Sequence, residues 1–135
     1  MRWKTFLSLL TGLGGAFVNT ARSEPLPLGA PLPDIVVINQ DSESLRLSEA
    51  GDKPFVLVYF YPKADTPGCT AQSCSLRDAY ATLTELGVVV YGVSLDGPAE
   101  QKAFREAHRL PFTLIADPEG RVVEAFGVPR RGRFA

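Results

Sequence analysis

Apolar and polar positions fall into short blocks along this chain, and the period of the blocks switches between strand-like and helix-like. Ile35-Val36-Val37-Ile38 is a brief β-branched run, Asn39-Gln40-Asp41-Ser42 is a cluster of turn formers, and Ser44 to Leu47 reads as a returning strand. Together they predict a hairpin. Ser48 to Asp52 is a brief turn. Pro54 to Phe60 is apolar throughout and rich in Val and aromatics, which predicts a buried strand stopped by Pro62. Thr66-Pro67 then opens a helix. Thr suits the cap, and Pro suits the first turn because its missing N–H has no intrahelical acceptor there. The helical pattern runs to about Leu86, Val88 to Val93 is a strand, Gly97-Pro98 starts a helix reaching His108, and Phe112 to Ile115 is a further strand. Asp117-Pro118-Glu119-Gly120 makes a turn before Val122-Val123-Glu124-Ala125-Phe126. Apolar strands alternating with helices predict an α/β domain with a parallel sheet covered on both faces.

The length of 135 residues fits a single domain, preceded by a segment of different character. Met1-Arg2-Trp3-Lys4 is basic, Thr5 to Val18 is apolar, and Ala21-Arg22-Ser23 places small residues three and one positions before Glu24. Residues 1–23 therefore read as a secretory signal peptide, too short and too Gly-rich for a spanning helix. The domain is then residues 24–135, with a Pro-rich, extended lead-in from Glu24 to Pro33. An exported protein in a periplasmic or equivalent lumenal compartment is expected. Losing residues 1–23 removes three of the 14 basic side chains and none of the 15 acidic ones, leaving a net charge near −4. No basic footprint for nucleic acid remains. Two cysteines and one distant histidine make a poor zinc set, so no metal is expected.

Those two cysteines carry the candidate chemistry. Cys69 falls in the first turn of the helix that Thr66-Pro67 opens, against unpaired backbone N–H groups and the positive end of the helix dipole. Both favour thiolate over thiol, and the thiolate is the nucleophile. Cys74 lies five positions on. On an intact helix their Cα atoms are roughly 8–9 Å apart and on different faces, whereas a disulfide needs about 4.4–6.8 Å. A Cys69–Cys74 bond therefore requires the first turns to unwind. Cysteine count and export alone favour a structural disulfide. The spacing instead suits a pair that cycles between a helical reduced state and an unwound oxidised one.

Pro62-x-x-x-Thr66-x-x-Cys69 resembles the peroxiredoxin active-site motif, and Thr66-Pro67-Gly68-Cys69-Thr70-x-x-x-Cys74 is similar to its bacterioferritin-comigratory-protein (PrxQ) branch. The resemblance runs from about Leu28 to Phe126, through Gly29-Ala30-Pro31-x-Pro33-Asp34, Leu57-Val58-Tyr59-Phe60-Tyr61-Pro62 and Phe112-Thr113-Leu114-Ile115-Ala116-Asp117. It implies a thioredoxin-like fold with a mostly parallel central sheet flanked by helices and an N-terminal β-hairpin. It implies Cys69 as the peroxidatic cysteine and Cys74 as the resolving one, joined as a disulfide during turnover. Hydrogen peroxide or organic hydroperoxides would be the substrate and a thioredoxin-like dithiol the reductant, without metal, haem or flavin. Thr66 would hydrogen-bond thiolate or peroxide oxygen, Pro62 would shield the cysteine from water, and Gly68 would let backbone N–H approach the peroxide. A monomer with no stable membrane span is expected.

The resemblance also has a departure. The family places an arginine over the thiolate at the start of a strand that would follow residue 135, and no position here matches it. Arg130, Arg131 and Arg133 read as a basic tail. The closing strands and final helix of the family are likewise unmatched, and the chain reads as truncated, which would leave strand 54–60 at or near an open edge. A second class of function follows from this: an inactive redoxin domain whose cysteine pair is a structural or redox-sensing bridge. A copper carrier with the same fold fits less well, because it usually has C-x3-C and a distant histidine. His108 reads as a favourable cation near a helix C-terminus, Lys63 and Asp65 as a solvated turn, and Tyr59, Phe60, Tyr91, Phe104 and Phe112 as core aromatics.

Overall fold

A computed structural model describes residues 24–129 of the chain. The leader 1–23, the tail arginines Arg130, Arg131 and Arg133, and the Cys69 side chain lie outside the described residues. The strands are β1 (Val36–Asn39), β2 (Ser44–Arg46), β3 (Phe55–Phe60), β4 (Val88–Ser94) and β5 (Thr113–Ala116). The helices are α1 (Pro67–Asp78), α2 (Tyr80–Glu85), α3 (Pro98–His108) and α4 (Arg121–Ala125), with a 3-10 turn over Leu47–Asp52.

The sheet has the order β2-β1-β5-β4-β3. Its β3, β4 and β5 strands run parallel, with Leu57 beside Val90 and Gly92 beside Leu114. The β1–β2 hairpin joins antiparallel, Ile38 facing Ala116 across the β1–β5 seam. The result is the thioredoxin-like α/β arrangement: a parallel βαβαβ block carrying an antiparallel hairpin. Among the described residues β3 forms one edge of the sheet, and Phe55 at its start is 63% exposed.

Strand alternation sorts the core into two layers. On one face Tyr59, Tyr61, Val90, Phe112 and Leu114 pack with Phe104 and Leu110, against Leu76, Tyr80 and Leu83 of the helices. On the other, Val37, Val93 and Ile115 pack with Leu47 and Val122. Both faces are covered, but unequally. The three longer helices lie on the first face, while the second has only the 3-10 turn, α4 and Phe126, so Val58, Phe60 and Tyr91 stay half-buried.

The helix expected to run to about Leu86 is broken at Ala79. The interruption is slight: Ala79 N–H still donates to Ser75 O at 3.2 Å and Leu83 N–H to Ala79 O at 3.0 Å, while the Asp78 carboxylate accepts Arg77 Nε–H. Val122 to Ala125, left without an element by the sequence pattern, lies in α4. The buried Asp117 carboxylate accepts the N–H groups of Val122 and Val123 and so fixes the start of that helix.

The lead-in returns to this end of the molecule. Leu26 N–H donates to Phe126 O at 3.1 Å. Gly127 has φ +63°, and a Cβ on it would stand 1.6 Å from Glu24 O, so the crossing requires glycine. Asp34 accepts from Arg46 Nη1 and Ser48 Oγ, both at 2.8 Å. The Arg46 guanidinium, with help from Ser48, holds the Asp34 carboxyl below the usual carboxylate range.

Candidate active site

The corner between β3 and α1 is built by bonds to β4, to the turn that follows it and to α3. Tyr61 N–H donates to Val93 O at 3.0 Å, which carries the β3–β4 ladder one residue past the strand. Pro62 has no N–H to extend it further, and the chain leaves the sheet there. Ala64 N–H then donates to Asp96 Oδ2 at 2.7 Å, and the same oxygen accepts Ser94 Oγ–H at 2.7 Å. The end of β4 thus grips the loop ahead of the cysteine. Asp65 stands at φ +60°, and its Oδ1 lies 2.9 Å from His108 Nε2 at the end of α3. Asp65 belongs to a surface turn, as the sequence implies, but it has a partner. His108 touches Phe104 edge-on, and its carbonyl accepts Arg77 Nη1 at 2.8 Å.

Thr66 occupies the position before α1 with extended backbone (φ −90°, ψ 152°), yet its hydroxyl makes no capping bond. It donates instead to Lys63 O at 3.1 Å. The expected side-chain cap is therefore corrected: the hydroxyl closes the preceding turn, and only the Thr66 carbonyl serves the helix, accepting Thr70 N–H at 2.8 Å. A Cβ at Gly68 would meet nothing within 4 Å, so no neighbour in the chain demands glycine there and the space beside that backbone is open. Pro62 is exposed.

Cys69 is the third residue of α1, where backbone N–H groups still lack intrahelical acceptors. Cys74 lies in the same unbroken helix, half-buried, as a free thiol. On the first core face Ser73 Oγ is 2.9 Å from the buried Tyr59 hydroxyl. Deeper still, Tyr61 O–H donates to Gln101 Oε1, and Gln101 Nε2 donates to Ile115 O at 2.9 Å. Burial is the main cause that pushes the Tyr61 phenol above its ordinary value.

The structure thus brings Pro62, Thr66, Gly68, Cys69 and Cys74 onto one loop and one helix. Sequence reasoning missed Asp96, Ser73 and Gln101, the polar groups that hold this corner. A partial signal existed for Asp96: Ser94-Leu95-Asp96 directly follows an apolar strand, where Ser and Asp commonly bond nearby backbone. Among the described residues no cluster of three or more His, Cys, Asp or Glu could hold a metal, and no helix is long and apolar enough to cross a membrane.

A thioredoxin-like sheet that delivers a cysteine at the mouth of a helix defines the redoxin class, and comparison with known proteins narrows it. The AhpC/TSA family model matches residues 28–134. A putative peroxiredoxin bcp of Haemophilus influenzae is 47% identical over 110 residues, covering 82% of this chain and 70% of that protein. The chloroplastic peroxiredoxin Q of Populus jackii is 44% identical over 101 residues, covering 75% of this chain but only 47% of its own length. The solved structure of peroxidoxin BcpB from Mycobacterium tuberculosis aligns with a TM-score of 0.71 at 34% identity, covering 78% of this chain and 68% of that one. The chain belongs to the AhpC/TSA family, and its relatives are peroxiredoxins of the Bcp and Q kind.

Proposed function

We propose that this chain is a thiol-dependent peroxidase that reduces hydrogen peroxide and organic hydroperoxides through Cys69. The observation that carries the reading is the placement of Cys69 in the first turn of α1, directly after a loop fixed by Asp96. The Cys69 thiolate attacks one peroxide oxygen and the O–O bond breaks. The sulfur becomes a sulfenic acid, and the departing alkoxide or hydroxide takes up a proton to leave as alcohol or water. The Cys74 thiol then attacks the sulfenic sulfur, water leaves, and a Cys69–Cys74 disulfide forms. An external dithiol of thioredoxin type returns both sulfurs to the reduced state. Thr66 and the open backbone at Gly68 bind the peroxide oxygens, and Pro62 borders the pocket.

Peroxide consumption with excess dithiol tests this in the wild type, Cys69→Ser and Cys74→Ser. Turnover should vanish in Cys69→Ser. Cys74→Ser should stop after one equivalent or require an outside thiol. Absence of thiol-dependent peroxide loss in the wild type overturns the reading in favour of an inactive redoxin domain. Export is part of the same proposal, supported by the basic, apolar and small-residue order of residues 1–23. A mature chain beginning at Glu24 is expected by mass spectrometry, and a cell-retained chain beginning at Met1 overturns it.

A further inference from the structure

We infer that the Ser73–Tyr59 hydrogen bond is a latch that keeps α1 wound, so that Ser73 sets how readily Cys74 reaches Cys69. This rests on the two cysteine roles proposed above. Among the described residues of α1, Ser73 alone is fully buried, at 0% exposure, while Pro67, Gly68, Ala71, Gln72, Ser75 and Asp78 face solvent. Leu76 adds a half-buried contact to the same face. Among the described side chains, the first two turns of α1 are tied to the sheet by the polar contact of 2.9 Å between Ser73 Oγ and Tyr59 Oη.

The seat for that contact is specific. Tyr59 is 6% exposed, and Gly92 on the neighbouring strand makes room for its ring. A Cβ at Gly92 would stand 2.7 Å from the Tyr59 hydroxyl oxygen, so a side chain there would displace the phenol from Ser73. Ser73 immediately precedes Cys74. Drawing Cys74 from roughly 8–9 Å to disulfide range means changing the backbone between residues 69 and 74. Ser73 then leaves its seat and the bond to Tyr59 breaks. The bond stabilises the dithiol form and contributes nothing to the disulfide form, so removing it in advance favours the disulfide.

The test measures the equilibrium of the Cys69–Cys74 pair against a small dithiol, in which two electrons and two protons pass between the partners. Ser73→Ala should shift the equilibrium constant toward the protein disulfide by about fivefold, the worth of one buried neutral hydrogen bond. Alanine is the better helix former, so helix propensity alone would move the constant the other way. Tyr59→Phe should shift it in the same direction, and it probes the same bond from the strand should the alanine variant not fold. The double variant should shift it no further than the larger single change, because the cycle isolates the pair from whatever else the Tyr59 hydroxyl touches. A constant unmoved in Ser73→Ala, or two single effects that simply add, overturns the latch. If the wild type forms no Cys69–Cys74 disulfide after oxidant treatment, the parent reading fails instead.

Discussion

Removing the Asp96 carboxylate would release two donors at once, the Ala64 N–H and the Ser94 hydroxyl. Asp96→Asn keeps the size but can turn an amide N–H toward Ala64, so a cost of about 1–3 kcal/mol is expected in denaturant unfolding. Peroxide turnover should fall with it, because the loop ahead of Cys69 loses its hold on β4. Asp96→Ala should do at least as much damage. Tyr61 and Tyr91, both raised chiefly by burial, supply the alkaline pH dependence, and Tyr61 is the more buried of the two. The Tyr61 phenol is raised above the ordinary value of 10.0, so the folded state keeps the proton that the unfolded chain releases. Its contribution is therefore complete below about pH 10 and is lost as pH rises past it, at about 1.4 kcal/mol per pH unit for one group. Tyr61→Phe should flatten that alkaline loss while costing about 1 kcal/mol at neutral pH through the bond to Gln101. Unfolding curves between neutral pH and about pH 11 check both parts.

At the scale of elements, α3 ends on a residue that the position does not suit. Arg109 sits at φ 51°, closed by Leu110 N–H on Arg105 O at 2.9 Å and Arg109 N–H on Glu106 O at 3.3 Å. That closure normally takes glycine, because a side chain there crowds the neighbouring carbonyl. Arg109→Gly should raise stability by about 1 kcal/mol, read as an upward shift in Tm, without loss of peroxide turnover. The neighbouring His108–Asp65 pair is half in solvent, so breaking it with His108→Gln should cost under about 1 kcal/mol. Strands and helices were legible where the apolar runs were long: β3, β4, α3 and β5 lie within a residue or so of their expected bounds. The break at Ala79 and the short α4 were not, since neither interrupts the hydrophobic period; α4 is started by one carboxylate, Asp117, on the N–H groups of Val122 and Val123. The site divides in the same way. Cys69, Cys74, Thr66 and Pro62 are close in sequence, so a local motif is enough to single them out. Ser73, Asp96 and Gln101 act across 14 to 40 positions of chain, and pairings of that kind are set by packing.

For the molecule as a whole, the two faces of the sheet carry different duties. The face under α1, α2 and α3 holds the aromatic layer of Tyr59, Tyr61, Phe104 and Phe112, with polar ties from Tyr59 to Ser73 of the cysteine helix and from Tyr61 to Gln101 of α3. The thinner face closes the hairpin and the lead-in. Leu26 is pinned to Phe126 there, and the crossing at Gly127 admits no side chain. A single methyl at Gly127 would part the lead-in from this end of the sheet, so Gly127→Ala should expose residues 24–33 to protease while the parallel strands stay folded.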